Sequence, residues 1–390
     1  MTLRYLTAGE SHGPGLLAIV EGIPAGLSID SEFINGELKR RQAGYGRGAR
    51  QRMETDQAEF ISGVRRGVSM GGPIAMRIPN EDNRLDDAAK TPSISRPRPG
   101  HADLAGSVKW LTTDCRETLE RASARETAAR VAAGALANCF LREFGIHTFG
   151  FVRGALDVRW TGEVTADSWR AQLSARNASD VGIPCDATSA QLVDRIHQAK
   201  VDKDTVGGLV EAHVFNCPIG LGSCVQWHER LDSRLAGAVM GIQAFKAVEI
   251  GLGRECAFRT GSQVHDAIHY DASKKNESHL GFVRPTNNAG GLEGGMTNGM
   301  PVVVTGTMKP ISTLLRGMPS VDLNTKESVM SAYERSDVSA IAAASVVMEH
   351  VVAFEIARAF LEKFSGDSMT QVKASHAAFM ELARRLPLAR

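Results

Sequence analysis

Residues 9–13 read "GESHG", a serine between glycines at the spacing of a serine-hydrolase nucleophile elbow, with an imidazole beside it. An elbow needs a strand before it, a helix after it and an earlier loop that supplies oxyanion-hole N–H groups. Only eight residues precede Gly9, and the chain continues "PGLLAIVEGIPAGLSI". Pro14 and Gly15 oppose a helix start, and the apolar, β-branched run to Val20 favours a strand. The stretch therefore reads as a short polar loop between two strands, where glycine lets the backbone approach a ligand next to His12. A structural turn histidine is the plainer alternative.

A second source of chemistry is "KRRQAGYGRGARQRM", which carries Lys39, Arg40, Arg41, Arg47, Arg50 and Arg52 with no acid between Glu37 and Glu54. Guanidinium forks bind two oxygens at once, and glycine lets backbone N–H groups join them, so the stretch suits phosphate or carboxylate. A solvated charge run and an RGG-like RNA segment are the competing readings. Tyr45 is its only aromatic residue and the chain's net charge is +1, which weighs against RNA. If "ERASARETAAR" and the residues before it form one helix, Glu117 can pair with Arg121 and Glu126 with Arg130, leaving Arg125 without an acid at helical spacing and open to an outside anion. In "RPRPGHAD", proline fixes the approach of His101, two residues before Asp103. Of the 11 histidines, only His12 and His101 sit in glycine-flanked, non-periodic contexts. Together these residues describe a pocket for a polyanionic small molecule with two groups able to move protons.

Elements must hold those groups. Short strands and Gly/Pro turns dominate to about Pro79, and helices follow from "HADLAGSVKWL" through "RVAAGALANCFLREFG", with Gly145 as a stop. Thr148 to Pro218 reads as an α+β insertion with two helices, "DSWRAQLSARN" and "SAQLVDRIHQAKV", and an exposed loop "NASDVGIPCDATS". A further helix is expected over "RLAGAVMGIQAFKAVEIG", and "HLGFVRPTNNAGGLEGGMTNGMP" is a long functional loop. It matches a dinucleotide glycine loop only loosely, since no βαβ frame surrounds it, and no Walker A motif occurs. The last two helices are expected from a cap at Ser336 or Asp337 to near Gly366, and from about Met369. The stretch "VSAIAAASVVMEHVVAFEIARAF" is too polar at its centre for a lone membrane span and reads as a buried helix or subunit interface.

With 43% hydrophobic and 23% charged residues, no repeat and no linker, the chain reads as one large α+β domain over 1–390. The near-zero charge points to neither nucleic acid nor membrane. The six cysteines form no C-x-x-C pair and no zinc spacing, so no metal site is expected and the thiols read as reduced and mostly buried. The N-terminus lacks the apolar region of a signal peptide, and a cytoplasmic location is expected.

The strings "GESHG", "GYGRGAR", "RPGHAD", "ERASARETAARVAAGA", "QAFKAVEIG", "NNAGGLEGGMTNG", "KPIST" and "RSDV" occur in the order found in the chorismate synthase family, and the chain resembles that family over nearly its whole length. The resemblance implies a β-α-β sandwich with antiparallel sheets inside and helices outside, assembled as a homotetramer. It implies a shikimate-pathway lyase that converts 5-enolpyruvylshikimate 3-phosphate to chorismate by 1,4-elimination of phosphate, with reduced FMN and no net oxidation. Carried over by position, His12 would protonate the departing phosphate, His101 the reduced flavin, and Asp337 would be an acid/base partner near the flavin. Arg41, Arg47, Arg50 and Arg125 would hold the substrate. Arg121, Ala122, Ser123, Gln243, Ala244, Gly294, Lys309, Pro310, Ile311, Ser312, Thr313 and Arg335 would contact FMN. Some family members carry or append a flavin reductase function. This chain has no recognisable nicotinamide-binding frame, so an external flavin reductase or other electron donor is expected as partner.

Overall fold

The structure, a computed structural model, describes residues 2–48, 54–331 and 337–388. Arg50 and Arg335, and Ser336 with its expected cap, lie outside them. Strands β1 (Arg4–Ala8), β2 (Gly15–Glu21), β3 (Glu59–Ser62) and β4 (Ile74–Pro79) form an antiparallel sheet in the order β1-β2-β4-β3. The second antiparallel sheet runs β8-β9-β7-β5-β6, built from β5 (His147–Ala155), β6 (Val158–Arg159), β7 (Gly208–Phe215), β8 (Phe245–Ile250) and β9 (Val302–Met308). Alternation dictates the faces: in β2, Leu16, Ala18 and Val20 are buried while the residues between them point outward.

The α+β class and the β-α-β sandwich hold, with one change of layer order. Besides α1 (Ser31–Gln42), α2 (Asp103–Trp110) and α3 (Arg116–Ala122), the chain forms α4 (Thr127–Arg142), α5 (Trp169–Ala178), α6 (Asp186–Val201), α7 (Leu231–Met240), α8 (Ile341–Lys363) and α9 (Met369–Arg384). Helices α4 and α8 lie between the sheets rather than outside them: α4 packs on β1, β2 and β4, α8 on β5, β7 and β9, and the two pack on each other. A helix covered on both sides must be apolar all round, and 14 of the 16 residues of α4 are buried. The helices run in the same direction, with Gly134 against His350 and, further along, Phe140 against Phe360 at 5.6 Å between ring centres. Glycine is required at 134 because a Cβ there would stand 2.2 Å from the His350 carbonyl oxygen.

Several local expectations are corrected. Helix α1 occupies part of the region where strands and turns are expected to dominate. The segment from Thr148 to Pro218 is no insertion, since β5 and β7 at its ends are inner strands of the second sheet. Its connecting loop is not wholly exposed, for Val181, Ile183 and Pro184 are buried. The helix expected after residue 234 stops at Met240, and Phe245–Ile250 is a strand paired with β9. Helix α8 begins at Ile341, so Asp337 does not cap it. Cys115, Cys139 and Cys217 are buried, Cys185 is intermediate, and Cys224 and Cys256 are exposed. Among the described residues no helix is long and apolar enough to cross a membrane.

Candidate functional site

The "GESHG" loop joins β1 to β2 as its residue types predict. Gly9 makes this possible: its φ is +105°, and a Cβ would lie 2.3 Å from the Gly15 carbonyl oxygen. Pairing of Gly15 with Pro79 sets Asn80 beside the loop, where its amide nitrogen donates to the carbonyls of Gly13 (2.8 Å), Glu10 (3.1 Å) and Ser11 (3.3 Å). His12 is buried. Its Nδ1 faces Glu120 Oε1 at 2.8 Å and Oε2 at 3.1 Å, and its backbone N–H donates to Oε2 at 2.8 Å. Its Nε2 looks toward Asp82 (3.6 Å) and Arg84 (3.4 Å). Arg116 stands 3.6 Å from Glu120. Burial alone would raise the Glu120 carboxyl, but the hydrogen bonds and charge of His12, with Arg116, hold it below its ordinary value. The Ser123 hydroxyl donates to that of Ser11 at 3.1 Å.

Asn80 also links this loop to the arginines, because its Oδ1 accepts from Arg125 Nε at 2.8 Å. Arg125 and Arg41 grip the two oxygens of Asp56, at 2.6 and 2.7 Å. Burial raises the Asp56 carboxyl, yet the two guanidinium groups overcome this and hold it low. Burial pushes Arg41 down, and the charges of Arg125 and Arg47 add to that despite Asp56. Buried Glu54, 3.7 Å from Arg125, is a second acid of the group. The expectation that Arg125 lacks a partner fails because "ERASARETAAR" is not one helix: the chain breaks at Ser123, in extended conformation, and Arg125 turns inward. The apparent imbalance of the "KRRQAGYGRGAR" run is likewise met, mostly from afar. Arg40 pairs with Glu349 and Glu37, and Arg47 with Asp337 at 2.8 Å. Asp337 also accepts from the backbone N–H of Gly48. Glu126 and Arg130 pair as expected, whereas Arg121 turns to the carbonyls of Thr7 and Gly9.

His101 lies just before α2, with Nδ1 against Asp103 Oδ1 and Arg98 NH2 3.1 Å from the same nitrogen. Arg98 grips Asp103 through Nε (2.8 Å) and NH2 (3.0 Å) and donates through NH1 to the Thr313 hydroxyl (3.0 Å). Burial would raise Asp103, but hydrogen bonds from His101 and Arg98 and the charge of Arg98 depress it strongly.

A hydrogen-bonded trail joins the two histidine loops. Arg121 meets Thr7, whose hydroxyl donates to Glu126, and Glu126 also accepts from Gln243 Nε2 at 2.9 Å. Ala244, left-handed at φ 69°, offers its carbonyl to the Lys309 N–H at 2.9 Å, and Lys309 Nζ reaches the Gly100 carbonyl. Ser312 lies on Gly100, and the Ile311 carbonyl accepts from Thr205. Pro310 lies between Lys309 and Ile311, and Ala122 ends α3 beside Ser123. Gly294 stands apart, turning the hairpin Leu292–Thr297 near Cys224. Sequence reasoning missed Asn80, Asp56, Asp82 and Glu120. The polar run "PNEDNR" directly after a strand was the available signal for Asn80 and Asp82.

The sequence profile described as "Chorismate synthase" matches residues 3–361. The chain belongs to the chorismate synthase family. It is 50% identical to the chorismate synthase of Syntrophotalea carbinolica, over 98% of this chain and 99% of that one. The chorismate synthase of Desulforudis audaxviator is 49% identical, over 98% of each chain. A solved structure titled "Crystal Structure of Chorismate Synthase" superimposes with a TM-score of 0.80 at 40% identity, covering 98% of this chain and 99% of that chain. As a member of the chorismate synthase family the chain is a shikimate-pathway enzyme of the lyase class.

Proposed function

We propose that this chain, acting as one domain, converts 5-enolpyruvylshikimate 3-phosphate to chorismate and phosphate by 1,4-elimination in the presence of reduced FMN. The observation that carries the reading is the Asn80 side chain, which ties the His12 loop to Arg125 and through it to Asp56 and Arg41. A proton donor beside clustered guanidinium groups suits a phosphate that leaves with the electron pair of its C–O bond. Arg41, Arg47 and Arg125, with Arg50, would hold phosphate and carboxylates, and His12 would deliver its proton from Nε2.

The residues present fit FMN. Gln243 Oε1 is buried without a hydrogen-bond partner among the described residues. Lys309 is pushed down by burial and by neighbouring Lys246, a pair of like charges suited to an anion. Arg121, Ala122, Ser123, Gln243, Ala244 and Lys309 to Thr313 would hold the cofactor, with Gly294 and Arg335 as further contacts. Bound in reduced form, FMN would lend electron density to the substrate and take up hydrogen without net oxidation. His101 would hold a proton at its margin, and Asp337 would serve as an acid/base partner while positioning Arg47. A homotetramer in the cytoplasm, supplied by an external flavin reductase or other donor, completes the reading.

The test is an anaerobic single-turnover assay with dithionite-reduced FMN and 5-enolpyruvylshikimate 3-phosphate. Phosphate release should fall about a hundred-fold or more in His12→Ala, the scale of a lost general acid, with an unchanged melting temperature, and Ser11→Ala should retain much of its rate. Release by His12→Ala at close to the wild-type rate sinks the reading, and a dead Ser11→Ala would favour a hydrolase.

A further inference from the structure

We infer that Glu120 is a positioning residue that fixes the proton of neutral His12 on Nδ1, so that Nε2 is the nitrogen that exchanges a proton with the ligand. The inference rests on the proposed general-acid role of His12. Glu120 is buried on α3 and spends both oxygens on one residue: Oε2 accepts the His12 backbone N–H at 2.8 Å, and Nδ1 lies 2.8 Å from Oε1 and 3.1 Å from Oε2. An ionised carboxylate only accepts, so the ring nitrogen facing it must donate. Among the described residues, the ring also has Arg116 behind Glu120, and Asp82 and Arg84 on the Nε2 side.

The geometry makes the amide variant a sharp probe. Glutamine has one acceptor oxygen and one donor nitrogen, while this site asks for two acceptors. In Glu120→Gln the oxygen must serve the backbone N–H, which has no freedom to change role. The NH2 then faces Nδ1, which can accept only if the ring proton moves to Nε2. Donation from Nε2 would leave a proton on Nδ1 pointing at that NH2, so delivery to phosphate is opposed. In serine proteases the equivalent exchange presents the wrong tautomer and costs about 10⁴-fold.

The full chain labelled with 15N-histidine, studied by NMR above pH 8, tests this without turnover. His12 is assigned by the signals lost in His12→Gln. Wild type is expected to carry the proton on Nδ1 and Glu120→Gln on Nε2, and single-turnover phosphate release should fall about 10²- to 10⁴-fold in the variant. Glu120→Asp, which keeps two acceptors, should keep the wild-type tautomer. A wild-type proton on Nε2 overturns the inference even if no variant folds, and so does an unchanged tautomer in Glu120→Gln. Reversal of the tautomer with wild-type phosphate release supports the placement of Glu120 and overturns the general-acid role of His12 instead.

Discussion

The two histidine loops share a plan and differ in one detail. Each seats Nδ1 against a buried carboxylate backed by an arginine: Glu120 and Arg116 for His12, Asp103 and Arg98 for His101. At His12, among the described residues, carboxylate oxygens face Nδ1, and the arginine stands off at 3.6 Å from the carboxylate. At His101 the arginine closes on the carboxylate with two hydrogen bonds and also brings a donor to 3.1 Å from Nδ1. One imidazole therefore has its proton position imposed, while the other meets both a donor and an acceptor and either tautomer finds a partner. Their surroundings differ in the same sense. His12 is tied to the arginines around Asp56, and His101 to the segment Lys309–Thr313.

The largest expected effect concerns how firmly each carboxylate is built in. Asp103→Asn leaves the buried Arg98 guanidinium without its charge partner and should cost about 3–5 kcal/mol of stability, whereas Glu120→Gln, with a more distant arginine, should cost about 1–3 kcal/mol. Guanidinium melts of the two variants compare them directly, and equal losses would erase the distinction. Next comes the division of ligands. Lys309→Met should weaken oxidised FMN binding about 10- to 100-fold and leave the arginines intact, while Arg47→Lys should weaken substrate binding about tenfold, since lysine lacks the fork. Calorimetry with each ligand decides. If each variant harms both ligands alike, the two loops serve one undivided site.

The smallest effect is in acid. Asp103 and Glu120 both titrate lower in the folded chain than their ordinary values. The unfolded chain therefore binds protons first as pH falls. The stabilisation is complete above the ordinary carboxyl range near pH 4 and is lost as pH drops through the folded values. Between pH 5 and 3 wild-type stability should decline, and Asp103→Asn should lose up to about one proton's worth of that slope. Identical slopes would mean Asp103 does not differ between the folded and unfolded states.

Much of this arrangement is written locally. Pro14 and Gly15 oppose a helix after "GESHG", and the alanines of α4 favour a helix, though not its place between the sheets. Helix α1 was hidden because Gly36 and its many charges mask a face consisting of Ile34, Leu38 and the buried Arg41. Strand β8 reads as helix in the sequence because "AFKAVEIG" fits either period, and pairing with β9 decides. Within the site, glycine contexts and arginine clusters mark the groups proposed to meet ligands. Their partners are invisible at short range: Asp56 is 15 residues from Arg41 and 69 from Arg125, and Glu120 is 108 from His12. Only the sheet pairing and the break at Ser123 bring them together.

The crossing of Gly134 and His350 has a consequence beyond packing. Arg125 stands just before α4, and Asp337, holding Arg47, just before α8. The crossing lies seven residues into one helix and nine into the other, roughly 10 and 14 Å along their axes. The helices thus act as the arms of a pair of calipers whose rivet is the missing side chain at position 134. The spacing between the Arg125 and Arg47 charges is gauged there, far from either, and a single methyl group at the rivet would reset the instrument.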